Sequence, residues 1–207
     1  MSEPLNFEWL THCASNTYSQ DGEDGILKAI FTVLGPGKQW CLECGASDGL
    51  FFSNTRRLIE QGWHALLIEA DPAAYKRLVD NSAPFNDRVF CRHAMINDVC
   101  RLEPFLDEVG APLDIDLAVI DIDGQDYYLL NSILRYQPRV VVIEYNPNAD
   151  ADFIPTLGGG GQAGWRAIWK LACGKLYTPV YRGRWNLILV KRPFDQFLSG
   201  TKEQMLK

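Results

Sequence analysis

The sequence predicts an α/β fold: a seven-stranded, mostly parallel sheet with helices on both faces and a C-terminal antiparallel hairpin. Three observations predict it. Short apolar runs of strand length alternate with segments of helical apolar spacing, the pattern of βαβ units. Carboxylates stand at the ends of four of the apolar runs, as they would along one edge of a parallel sheet. The last two runs flank Gly183 closely enough to pair with each other. The chain has 207 residues, enough for one well-filled core and short for two, so residues 1–207 are expected to form a single domain.

The elements follow in order. Gly25–Leu34 (GILKAIFTVL) has helical spacing and stops at Gly35-Pro36-Gly37, which makes residues 1–35 an N-terminal helical cap. Gln39–Cys44 is the first strand. Asn54–Gln61 reads as a helix ended by Gly62, with Ser53 or Asn54 able to cap it. Ala65–Glu69 is a buried second strand, and Pro72 opens a helix running to about Asp80. Arg88–Arg92 is a third strand. Val99–Val109 is a short helix made irregular by Pro104 in mid-course. Leu117–Asp121 and Val140–Glu144 are the fourth and fifth strands, flanking a helix near Asp126–Tyr136. Trp165–Cys173 is the last helix, before Tyr177–Tyr181 and Leu187–Lys191 close the sheet. Between them, 146–164 is polar and carries the run Gly158–Gly161. A loop of this length in a compact domain is expected to be a substrate lid.

Bulk properties exclude some functions. A net charge of −6 argues against a nucleic-acid partner, which needs clustered Lys and Arg. The absence of a long apolar run and of an apolar leader argues against a membrane partner and for a cytoplasmic protein, alone or as a homodimer. Six scattered cysteines fit a reduced compartment. Cys41 and Cys44 have CxxC spacing, but no second ligand pair is spaced for zinc, so core packing is the expectation.

Chemistry concentrates at the strand ends. Ligands of open parallel sheets sit beyond the carboxyl ends of the strands. There the sequence places Glu43, Asp48, Glu69, Asp71, Asp121, Asp123 and Glu144. Burying that many carboxylates without partners is unfavourable, and a ligand with cationic and hydroxyl groups supplies the partners. The turn Glu43–Gly49 has Gly45 and Gly49 but lacks the GxGxxG dinucleotide pattern. Acidic flanks would repel a pyrophosphate, whereas a sulfonium amino acid would be held. Glu69 lies about 20 residues further on, the spacing of a carboxylate that accepts ribose hydroxyls.

These stretches carry a family resemblance: YSQDGEDG (18–25), LECGASDGLFFSNT (42–55), GWHALLIEADP (62–72), DLAVIDIDGQDYYLLNSI (116–133), RVVVIEYNP (139–147) and NLILVKR (186–192). The chain resembles the class I S-adenosylmethionine (SAM)-dependent methyltransferases, close to the FkbM-like small-molecule group. The resemblance implies a Rossmann-like fold and the cofactor SAM. It implies that Glu43, Gly45, Ala46 and Asp48 hold the methionine part. Glu69 would take the ribose, Ala94 and Met95 would face adenine, and Ser53 and Asn54 would add polar contacts. Asp121 would sit near the amino group or the methyl donor. Gln20, in the Tyr18–Glu23 segment, would close over the cofactor, a role compatible with capping the first helix.

The expected reaction is methyl transfer to a small-molecule hydroxyl, which needs a base or a metal. Asp121, Asp123 and Glu144 are the candidates, and together they could bind Mg²⁺ through oxygen ligands. The bland alternative has Asp121 contacting only SAM, Asp123 capping the next helix and Glu144 bonding backbone. His93 reads as a polar strand-end residue rather than a base. Tyr127, Tyr128, Tyr145 and Trp165 are candidate substrate walls. Asn146-Pro147 follows the fifth strand and lacks the second Pro and aromatic of nucleic-acid amino-methyltransferases. The alternative to an enzyme is a SAM-fold binding or scaffolding protein without chemistry.

Overall fold

The computed structural model describes residues 7–35, 37–97 and 101–199. Its strands are β1 (Trp40–Cys44), β2 (His64–Glu69), β3 (Val89–His93), β4 (Leu117–Ile120), β5 (Val140–Glu144), β6 (Tyr177–Arg182) and β7 (Asn186–Lys191). They form one sheet in the order β3-β2-β1-β4-β5-β7-β6. Neighbours from β3 to β5 pair in parallel, and β7 joins antiparallel between β5 and β6. The expected parallel sheet with a C-terminal hairpin is therefore the observed one. Strand order reverses at β1, which has β2 on one side and β4 on the other.

Alternation along each strand builds two cores. Cys41, Leu67, Val119 and Val142 face one side, against α1 (Glu23–Leu34), α2 (Arg56–Glu60), α3 (Pro72–Ser82) and α7 (Asp195–Ser199). Leu42, Ile68, Ile120 and Ile143 face the other, against α4 (Glu103–Glu108), α5 (Asp126–Ser132) and α6 (Trp165–Gly174). Strands covered on both faces read as unbroken apolar runs, as VVVIE does. The CxxC cysteines point to opposite cores, Cys41 to the first and Cys44 to the second, so packing accounts for both. Among the described residues no helix is long and apolar enough to cross a membrane.

Several boundaries differ from expectation, each for a local reason. The helix expected over Val99–Val109 starts at Glu103, because Pro104 suits a first turn better than a helix middle; Val99 and Cys100, like Pro36 of the expected helix stop, lie outside the described residues. The helix expected to reach Tyr136 ends at Ser132. There Glu103 accepts hydrogen bonds from the backbone N–H groups of Leu134, Arg135 and Tyr136, which draws the chain out of the helix. The helix expected from Asn54 starts at Arg56, because residues 53–55 are engaged elsewhere. A 3-10 turn at Glu8–Cys13 had no clear periodicity to announce it.

The register makes the site. Cys44 is level with Ile68 on one side and Ile120 on the other, and Ile120 is level with Ile143. Residues one step beyond these positions, Glu69, Asp121 and Glu144, therefore emerge along one edge of the sheet.

Candidate functional site

A cavity of about 890 Å³ opens at that edge, near the upper end of the range for small-molecule sites. It is lined by residues from the ends of β1, β2, β4 and β5 and from the segments that follow them.

The β1 turn is built around Glu43. Its carboxylate is buried and accepts hydrogen bonds from Ser53 Oγ (2.7 Å), Thr55 Oγ1 (2.6 Å) and the Asn54 N–H (2.8 Å). Desolvation pushes its pKa up to about 7 against the pull of those donors. Glu43 thus anchors the segment preceding α2, and Ser53 Oγ also receives the Arg56 N–H. Asn54 Oδ1 is buried without a protein partner. Gly45 has φ of 80°, and a Cβ there would fall 1.7 Å from the Asp121 carbonyl oxygen. The glycine is required by the neighbouring strand end rather than by a ligand. Gly49 is required by Leu78 of α3, 2.6 Å from the Cβ it lacks.

The turn amides are spent internally. Those of Gly45 and Ala46 donate to the Ile68 carbonyl, that of Gly49 to the Ala46 carbonyl, and that of Ser47 to Glu69 Oε2 at 2.7 Å. The other oxygen of Glu69 accepts the Asp71 N–H at 2.7 Å. Each carboxylate oxygen carries a further lone pair, so both retain acceptor capacity.

The ends of β4 and β5 bring Asp121, Asp123 and Glu144 together, with one oxygen of each within 4.8 Å of the others. Asp121 and Glu144 share a hydrogen bond. Burial, and then the charge of Asp121, raise Glu144 to about 9. Burial raises Asp121 to about 6, while the bond from Glu144 holds it lower than it would otherwise be. Between those values the two carboxyls hold one proton between them. Gln162 donates its side-chain amide to Glu144 Oε2. Asp126, rather than Asp123, ties the turn: its carboxylate accepts the N–H groups of Ile122 and Gly124. Asp123 is left exposed on the cavity wall with φ of 54°.

The structure gathers Gln20, Glu43, Gly45, Ala46, Ser53, Asn54, Glu69, Ala94, Asp121, Asp123 and Glu144 around this one cavity. Asp48 is not among the lining residues; its carboxylate accepts the Leu50 and Phe51 N–H groups and shapes the turn. His93 is engaged with the Ala70 carbonyl and stacks on Tyr75. None of the four aromatic walls lines the cavity. Tyr145 is buried with its hydroxyl on the Gly183 carbonyl, Tyr128 donates to the Pro155 carbonyl, Tyr127 packs on the second core, and Trp165 lies under Arg182. The aromatics at the cavity are Phe51 and Phe52, which no spacing rule singles out.

The 146–164 segment is closed at its base, where the Asn146 N–H meets the Ala163 carbonyl. Its glycine tip is clasped by one side chain: Gln125 donates to the Gly159 carbonyl and accepts the Gly158 N–H. Gly161 backs onto Gly124 in the β4 turn.

No protein-family profile matches this chain, and no curated protein does. Solved structures do. The chain is similar to the N-terminal domain of EvdMO1 with SAH bound (TM-score 0.56, 16% identity, 87% of this chain and 83% of that one). It is similar to an O-methyltransferase from Bacillus cereus in complex with SAH (TM-score 0.54, 17% identity, 92% and 93%). It is also similar to the METTL16 methyltransferase domain (TM-score 0.52, 12% identity, 80% of this chain) and spans 66% of that longer chain. The architecture is the Rossmann-like fold of the class I SAM-dependent methyltransferases.

Proposed function

We propose that this protein is a SAM-dependent methyltransferase acting on a hydroxyl of a small-molecule acceptor. The observation that carries the reading is the cavity itself, with Glu69 on its β2 side and the proton-sharing Asp121–Glu144 pair on its β4–β5 side.

The residues present fit SAM. Glu69 keeps lone pairs for two ribose hydroxyls, and the unpartnered Asn54 Oδ1 is an acceptor for the methionine amino group. The internally spent amides at Gly45, Ala46 and Ser47 offer nothing to a pyrophosphate, which counts against a dinucleotide. SAM, when bound, supplies a methyl group activated on a sulfonium. The protein's part is alignment, exclusion of water and handling of the acceptor's proton. With Glu144 protonated, Asp121 is the ionised member and accepts the hydroxyl proton. Gln162 donates to Glu144 Oε2, and so links the 146–164 lid to the pair. Asp121, Asp123 and Glu144 are also an oxygen-only donor set of the kind Mg²⁺ takes.

Calorimetry with SAM, SAH and NAD, with and without Mg²⁺, tests the reading. SAM and SAH are expected to bind and NAD is not; failure of both SAM and SAH to bind would overturn it. Binding without turnover on any hydroxyl acceptor would leave a scaffolding protein instead.

A further inference from the structure

We infer that the acceptor is a hydroxylated aromatic carrying a positive charge, a phenol with an ammonium group, and that Phe51 and Phe52 hold its ring. The inference rests on the methyltransferase reading above and assigns the substrate class of that same site.

The first observation is exposed apolar surface. Phe51, Phe52 and Met95 are 64%, 44% and 65% exposed, and all three border the cavity. Large apolar side chains gathered at the rim of a polar cavity mark a binding surface. The two phenylalanine rings lie 3.7 Å apart between centroids and form a continuous aromatic surface.

The second is how that surface is held. Phe52 has φ of 61°, a conformation a bulky side chain adopts only when its surroundings impose it. Asp48 fixes the turn before the pair through the Leu50 and Phe51 amides. Glu43 fixes the turn after it through Ser53 and Asn54. Clamped at both ends, the segment turns its two rings outward instead of folding them into the core.

The third is what the rim lacks and what the cavity carries. The side chains of Phe51 and Phe52 offer no hydrogen-bond donor or acceptor, so the hydroxyls of a sugar laid on them gain no partner from them. A flat ring loses nothing there and gains offset stacking. The same cavity is lined by Asp121 and Asp123, whose carboxylates repel an anion and attract a cation. One acceptor satisfies both: an aromatic ring with a hydroxyl and a cationic group.

The test uses the SAH-saturated full chain, titrated with tyramine, with 4-hydroxyphenylacetate (the same ring bearing a carboxylate) and with glucose. Tyramine is expected to bind about tenfold more tightly than either. Phe51→Ala and Phe52→Gly, the latter suited to the positive φ, should each weaken tyramine about fivefold, with SAH affinity within about twofold of the parent. Phe51→Tyr should retain tyramine binding. The unmodified protein's own ligand series decides the matter even if a variant fails to fold. Glucose or 4-hydroxyphenylacetate binding as well as tyramine would overturn the inference, as would no tyramine binding. Variants that lose SAH rather than tyramine would also overturn it, because the pair would then be a cofactor wall. A parent that does not bind SAH sinks the methyltransferase reading and this inference with it, whereas the other failures sink the inference alone.

Discussion

At the scale of single residues, the site is a set of carboxylates with separate duties. Glu69 is aimed by the Ser47 and Asp71 amides, so it reaches the cavity as a preset acceptor. Glu69→Ala is expected to weaken SAH binding by about 1.5–3 kcal/mol, the worth of a charge-assisted hydrogen bond; unchanged affinity by calorimetry would show the ribose lies elsewhere. Glu43 and Glu144 titrate above their ordinary value of 4.5, at about 7 and about 9. The folded protein therefore keeps protons that the unfolded chain has released. Their stabilising contribution is full below about 4.5 and is lost as pH rises, through about 7 for Glu43 and about 9 for Glu144. The melting temperature should fall across that window, and more shallowly in Glu144→Gln; an identical slope in the variant would refute the shared proton. Turnover should rise as pH passes about 6, where Asp121 ionises.

At the scale of elements, turns and loops decide what the strands display. The 146–164 segment has the glycine content of a flexible stretch, yet the amide of Gln125 clasps its tip and Tyr128 holds Pro155. Gln125→Ala removes two hydrogen bonds worth about 0.5–1.5 kcal/mol each. Limited proteolysis should then cut within 156–161 faster, and the acceptor KM should rise while SAH affinity holds. Loss of SAH affinity would show that the loop serves the cofactor rather than the acceptor. Helix cores were legible from apolar period, as in α1, whereas helix ends were not. Glu103 ends α5 from 32 residues away in sequence at Arg135, and Glu43 delays α2 from across the β1 turn. Long-range side-chain acceptors of this kind leave no local signature.

At the scale of the whole molecule, the sheet separates stability from chemistry. The edge opposite the cavity is held by a buried ion pair, Arg139 to Asp116 at 2.7 Å. The same guanidinium donates to the Leu34 and Gly35 carbonyls at the end of α1. Arg139→Ala strands a buried carboxylate and uncaps α1, which should cost about 3–5 kcal/mol. For a domain of this size that lowers Tm by roughly 10 °C, read by calorimetry, with SAH affinity nearly unchanged at low temperature. A Tm within about 2 °C of the parent would mean the pair contributes little.

The sequence by itself determined the sheet, because strands buried on both faces must be apolar throughout and their alternation with helices leaves little topological choice. It also determined where the carboxylates gather, because strand ends are marked by the first polar residue after an apolar run. Tertiary structure alone decided their duties. Asp48 turns inward to its own loop, Asp126 rather than Asp123 ties the β4 turn, and Glu144 shares a proton with Asp121. It also moved the aromatic wall from Tyr127, Tyr128, Tyr145 and Trp165 to Phe51 and Phe52. Which side chain reaches a cavity depends on clamped backbone angles and on neighbours distant in sequence, and neither is written in spacing.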